Sequence, residues 1–128
     1  MSANPLATAL TAANDDAWRV YRGRHLSVTF MLAVGATPYL VRIHRGRVEE
    51  VETGPFVAPS WTFRLSAARQ AWETFWQPLP PPGAHDLMAM IKSGALKLEG
   101  DPYPFMANLR YFKELLALPR AHHRGGTA

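Results

Sequence analysis

Ser93-Gly94-Ala95-Leu96-Lys97-Leu98-Glu99-Gly100-Asp101 alternates apolar and polar side chains between two glycines, the pattern of a short strand entered and left through turns. Upstream, Leu87, Met88, Met90 and Ile91 mark a helix that His85 or Asp86 can cap, and Ser93-Gly94 ends it. Downstream, Asp101-Pro102 supplies an N-cap followed by proline in the first helical position. It opens a last helix with Phe105, Leu109, Phe112 and Leu116 on one face, and Pro119 stops it. A strand arriving after helices must cross over to reach its sheet, so this one can lie parallel to a neighbour.

Four further strands precede this unit. Leu26, Val28, Phe30 and Leu32 alternate with Ser27, Thr29, Met31 and Ala33, and a turn over Gly35-Ala36-Thr37-Pro38 leads to Tyr39, Val41 and Ile43 in a second strand. Arg45-Gly46-Arg47 is short enough only for a hairpin connection. Val48 and Val51, set among Glu49, Glu50 and Glu52, form a polar third strand suited to a sheet edge. A fourth strand follows over Trp61-Thr62-Phe63-Arg64-Leu65-Ser66, and Ser66 is placed to cap a helix carrying Trp72, Phe75, Trp76 and Leu79 at i, i+3, i+4 and i+7. The proline-rich stretch from Gln77 to Gly83 ends that helix. At the start of the chain, residues 1–13 are expected as a frayed turn or an arm ordered only by packing, and Asp15-Asp16 can cap a short helix bearing Trp18 and Tyr21.

Strands first and helices later predict an α+β fold: a five-stranded, mainly antiparallel sheet covered on one face by helices. The expected organisation is an N-terminal arm and short helix over 1–23, one domain over 24–118 and a disordered tail over 119–128.

At 128 residues the chain has material for one core without staples, and with no cysteine it excludes disulfides, thiolate chemistry and Cys-based metal sites. Apolar runs such as Val28 to Ala36 fall short of the ~20 residues of a spanning helix, and Met1 to Ala13 lacks a secretory pattern, so a soluble, cytoplasmic protein is expected. The net charge is +4, and eleven of the fourteen cations are arginine. Most arginines alternate with apolar residues along strands and read as a solvated face. The excess permits transient contact with an anionic membrane surface, whereas the absence of a basic block or an aromatic RNA-binding motif speaks against a nucleic-acid partner.

Catalytic signals are weak. His85-Asp86 reads as a loop and cap, Pro59-Ser60-Trp61 is not a nucleophile elbow, and no catalytic residues are assigned. His122-His123 lies outside any metal-ligand spacing, and Gly94 and Gly100 flank a strand instead of the turn a phosphate loop requires, so neither metal nor cofactor is expected. The aromatics are more informative. Ten of fourteen fall between Phe56 and Trp76 or between Tyr103 and Phe112, which concentrates them on one strand and the helices around the proline-rich stretch. The helices are apolar on more than one side and carry Met88, Met90 and Met106, which suits either an ordinary core or a cavity for an apolar ligand.

The Ser93–Asp101 stretch, flanked by helices, resembles the "sGklkieGD" hallmark of the sterol carrier protein type-2 family. Leu26-Ser-Val-Thr-Phe, Arg47-Val-Glu-Glu-Val and Trp61-Thr-Phe-Arg-Leu-Ser-Ala before a Trp-containing helix follow that family's order of elements, so the likeness spans Arg24 to Leu118. It implies a non-catalytic carrier holding a fatty acid, acyl-CoA, sterol or similar lipid in an apolar tunnel between sheet and helices. The implied lining is Phe63, Trp72, Phe75 and Trp76, then Met88 and Ile91, then Phe105, Met106, Leu109 and Phe112, with Lys92 or Arg110 near the mouth to meet a carboxylate head. The chain departs from the family in placing Arg45-Gly46 where Asp-Gly is usual and in inserting Gln77 to Ala84. That insertion can act as a lid over the tunnel, or Trp72 and Trp76 can fill it. The alternative is an accessory subunit whose aromatic patch shields a hydrophobic intermediate for a partner enzyme.

Overall fold

The computed structural model describes residues 5–84 and 86–120. Five strands, β1 (Val28–Val34), β2 (Thr37–His44), β3 (Arg47–Thr53), β4 (Phe63–Ala67) and β5 (Leu96–Gly100), form one sheet in the order β3-β2-β1-β4-β5. Three of the pairings are antiparallel and one, β1 with β4, is parallel. The helices are α1 (Pro5–Thr11), α2 (Ala17–Arg22), α3 (Arg69–Phe75), α4 (Leu87–Ser93), α5 (Tyr103–Ala107) and α6 (Leu109–Leu116), with a 3₁₀ turn at Ala12–Asp15. This is the α+β architecture expected from the sequence.

Period-two alternation decides the faces. Val28, Phe30, Leu32 and Val34 of β1 share the helix-covered face with Val41 and Ile43 of β2, Val48 of β3, and Phe63 and Leu65 of β4, all buried. The register lines them up: Phe30 faces Val41 on one side and Phe63 on the other, and Leu65 faces Leu98. Val48 and Val51 are three apart, which a regular strand would place on opposite faces. A register shift opposite Arg42 and Ile43 inserts Glu49 as an extra residue, so that Val48 pairs with Ile43 and Val51 with Val41.

The other face is polar at its margins, where Arg42 pairs with Glu50 at 2.8 Å and Arg64 with Glu99 at 3.5 Å across strands. At its centre Met31 and Ala33 are buried, beside a groove they share with Phe56 and Pro59 of the segment after β3. That segment returns across the sheet, held by Thr62 N–H to the Thr29 carbonyl at 2.8 Å, and delivers β4 parallel to β1. The crossover thus falls between β3 and β4, not before β5, which is antiparallel to β4.

Other expectations shift locally. Ser66 stays in β4, and α3 begins after Ala68 with no side-chain cap; α3 closes at Phe75, leaving Leu79 exposed. The last helix is two helices interrupted at Asn108, whose amide donates to the Pro104 carbonyl at 2.9 Å. Residues 5–11 form α1, and Leu6, Ala9 and Leu10 bury against the rest of the core. Asn14, in the following turn, exchanges two 2.8 Å hydrogen bonds with the backbone of Val48 on β3. Among the described residues no helix is long and apolar enough to cross a membrane.

Candidate hydrophobic binding site

The space between the sheet and helices α3 to α6 is occupied by aromatic rings in mutual contact. Phe30 and Phe63 stack at 5.0 Å across the parallel pair, and Phe112 of α6 meets both edge-on at 5.5 and 5.4 Å. Phe105 closes the group, 5.8 Å from Phe63 and 5.5 Å from Phe112. Edge-to-face and offset contacts at these separations suit the ring quadrupoles. A second group lies on α3, where Trp72 stacks on Trp76 at 5.3 Å and meets Phe75 edge-on at 6.0 Å. Trp72 is fully buried, and its indole N–H donates to the Ala33 carbonyl at 2.9 Å, satisfying the one polar atom it brings inside.

Of the ten side chains expected to line a tunnel, Phe63, Trp72, Phe75, Phe105 and Phe112 are therefore interior and packed within these two ring groups. Trp76, Met88, Ile91 and Leu109 are half-buried against the core, and Met106 is 43% exposed. On α4 the fully buried residues are Leu87 and Met90. Both are among the apolar residues of this helix in the sequence, and at i and i+3 they share one face. Phe30, at the centre of the cluster, reads from the sequence only as an inward-facing strand residue. Its place among the rings follows from its position opposite Phe63, which the sequence does not display.

Helix α6 roofs the cluster and is fastened on every side. Glu114 accepts from Arg19 at 3.4 Å, from Arg110 at 3.3 Å and from Arg22, tying α6 to α2. Lys113 reaches Asp86 at 2.9 Å, joining α6 to the start of α4, while Asp86 also caps α4 by accepting from Ala89 N–H at 3.2 Å. Trp76 donates its indole N–H to the Leu116 carbonyl at 2.9 Å, and Arg120 donates twice to the Phe75 carbonyl while lying over the Phe75 ring. Burial holds the Arg120 guanidinium below its ordinary pKa. Tyr111 sends its hydroxyl to the Gly46 carbonyl at 2.7 Å, and burial pushes the phenol up to about 12. Among the described residues no charged residue is buried. Lys92 is exposed, and Arg110 is engaged by Glu114. His85, His122 and His123 lie outside the described residues, among which there is no metal-binding cluster.

No family model and no curated protein matches the chain by sequence. Its structure is similar to a crystal structure of sterol carrier protein 2, at a TM-score of 0.74 and 15% identity, over 92% of this chain and 95% of that one. The conserved hypothetical protein TT1886 of Thermus thermophilus, described as possibly a sterol carrier protein, aligns at a TM-score of 0.68 and 12% identity over 92% of this chain and 85% of its own. UbiJ-SCP2, a ubiquinone synthesis protein, aligns at a TM-score of 0.53 and 18% identity over 87% of each chain. With strand order, parallel pair and helical cover already established, these likenesses mean that the chain has the sterol carrier protein type-2 fold.

Proposed function

We propose that this protein binds a hydrophobic small molecule, of the fatty acid, acyl-CoA or sterol class, between its sheet and helices, and carries it without acting on it chemically. The observation that carries this reading is a wholly apolar interior in the fold of a sterol carrier protein, with half-buried Trp76, Met88, Ile91 and Leu109 at its rim. A chain of about ten methylenes buried there would gain roughly 8 kcal/mol at ~0.8 kcal/mol each, before the costs of association and of parting the rings. The interior rings contact one another across this space, so a ligand enters by displacing them. Methionine at the rim lowers that cost, because an unbranched thioether side chain repacks readily. Since α6 is anchored to α2, α3, α4 and the β2–β3 hairpin, access is best placed along α4 and α5, where Met88, Ile91 and Met106 retain exposed surface.

The test is native mass spectrometry of freshly purified protein together with titration of a fluorescent fatty acid. Carried-over lipid, or saturable one-to-one binding with quenching of the Trp72–Trp76 pair, is the expected result. Absence of both would overturn the proposal. Concentration-dependent association with an enzyme that is lost in Trp76→Ala, without lipid binding, would point instead to the accessory-subunit alternative.

A further inference from the structure

Arg22-Gly23-Arg24-His25 and His44-Arg45-Gly46-Arg47 are the same basic tetrapeptide read in opposite directions, and the fold presses their glycines together. A Cβ on Gly46 would sit 2.5 Å from the Val20 carbonyl oxygen and 2.8 Å from the Gly23 carbonyl, so only glycine permits this approach. Three hydrogen bonds fasten the hairpin tip: Arg45 N–H to Ser27 Oγ at 3.0 Å, Gly46 N–H to the Leu26 carbonyl at 3.0 Å, and the Tyr111 hydroxyl to the Gly46 carbonyl at 2.7 Å. The result is a concavity of ≈ 520 Å³ lined by Arg24, His25, Ser27 and Arg45.

Two observations set these arginines apart. Arg19, Arg22, Arg42, Arg64, Arg69 and Arg110 each face a carboxylate, whereas Arg24, Arg45 and Arg47 have no ion pair among the described residues. Arg45 also occupies a left-handed backbone position at φ 51°, followed by Gly46 at φ 82°. In a two-residue hairpin of this kind Asn-Gly or Asp-Gly is the comfortable choice, so arginine is held here against local preference. Arg24 is positioned as well: its guanidinium lies 3.9 Å over the Tyr21 ring and donates to the Tyr21 carbonyl at 2.8 Å.

We propose that this concavity is a phosphate-ester site, in which the guanidiniums of Arg24 and Arg45 approach the oxygens from two walls with His25 and the Ser27 hydroxyl between them. Two guanidiniums exceed what a carboxylate needs and suit a tetrahedral anion with oxygens to offer each. The site is a single corner of the molecule, and Arg19, Arg22, Arg42, Arg64, Arg69 and Arg110 are each ion-paired elsewhere, which disfavours a nucleic-acid track. Beside it, Trp18 and Tyr21 stack at 5.5 Å while 62% and 52% exposed, ready to meet the apolar part of an amphiphile. The ester is borne either by a lipid head group or by a soluble phosphorylated molecule.

The experiment uses the full chain in two arms. Glycerol 3-phosphate is titrated while the amide resonances of Ser27, Arg45 and Gly46 are followed, and sedimentation is measured with phosphatidylcholine vesicles with and without phosphatidic acid. Saturable shifts in the first arm assign a soluble ester, and retention only by phosphatidic acid vesicles assigns a lipid head group; either supports the site. Arg45→Asn is expected to weaken binding roughly tenfold or more, the scale of a lost charge-assisted pair, while the melting temperature holds or rises because Asn tolerates this backbone. Arg24→Gln weakens binding similarly, and Arg69→Gln, distant in sequence and ion-paired, leaves it unchanged. Absence of binding in both arms, equal loss in Arg69→Gln, or preferential binding of a single-stranded RNA over both phosphate probes would overturn the proposal.

Discussion

Replacing Phe112 by alanine sets stability and ligand capacity against each other. Phe112 is fully buried and contacts the rings of Phe30, Phe63, Phe105 and Tyr111. Removing its ring loses up to about 3 kcal/mol of transfer free energy. A residual void of order 80 Å³, at ~24 cal/mol per Å³, adds about 2 kcal/mol, for a total of about 4–5 kcal/mol. Against a domain stability of about 5–15 kcal/mol this is severe, so Phe112→Leu, expected to cost about 1–2 kcal/mol, keeps the experiment readable if the alanine variant does not fold. The assay is equilibrium urea unfolding followed by indole fluorescence, paired with titration of a fluorescent fatty acid. If rings and ligand compete for one space, the folded variants bind the fatty acid more tightly as they lose stability, by about tenfold for each 1.4 kcal/mol of ring displacement no longer required. A folded variant whose affinity is unchanged or weaker would show that the ligand does not use the ring cluster. A loss below about 2 kcal/mol for Phe112→Ala would show that the rings are not a packed unit.

Three other perturbations probe the frame. Gly46→Ala should destabilise by roughly 2 kcal/mol or more, because the added methyl meets the Val20 and Gly23 backbone at a positive φ, and an unchanged melting temperature would contradict the close approach. Tyr111 keeps its proton in the folded state to about 12 while the unfolded phenol loses it near 10, so the unfolded state binds fewer protons in between. Its contribution is complete below pH 10 and declines as pH rises toward 12; Tyr111→Phe should flatten that decline in pH-dependent urea midpoints, and parallel profiles would refute it. Trp76→Phe removes the indole donor to the Leu116 carbonyl and should cost about 1 kcal/mol in urea unfolding, whereas no measurable loss would mean that α6 does not depend on that tie to α3.

The sheet was legible because each strand presents one face to the core: Phe30, Val41, Phe63 and Leu65 fall in register as their alternation requires. The β3 spacing of Val48 and Val51 carried more than a strand assignment, since a three-residue interval with both side chains inward requires a bulge. What escaped was decided by distant parts of the chain. Ser66 is a good cap by composition, yet it continues the β4 register opposite Lys97. Pairing direction depends on where the segment after Thr53 travels, and nothing local in Gly54–Pro55 declares that it crosses Met31 and Ala33. For the interior, sequence spacing correctly separated apolar from polar positions, but whether Phe63, Phe105 and Phe112 surround a space or occupy it depends on ring geometry in three dimensions. The arginines escaped differently. Alternation accounts for Arg42 and Arg64, while Arg24 and Arg45 acquire their shared setting only through contact between two glycines far apart in the chain.

The side chain of Asn14 offers Val48 a donor and an acceptor in the spacing of a peptide group, so on the outermost strand it stands where the backbone of another strand would bond. One end of the β3 edge is thereby closed by a residue of the N-terminal segment, and strand addition there, whether to another molecule or into an aggregate, competes with that amide's two bonds at Val48. A chain shortened to begin after this turn would keep every strand and lose the seal.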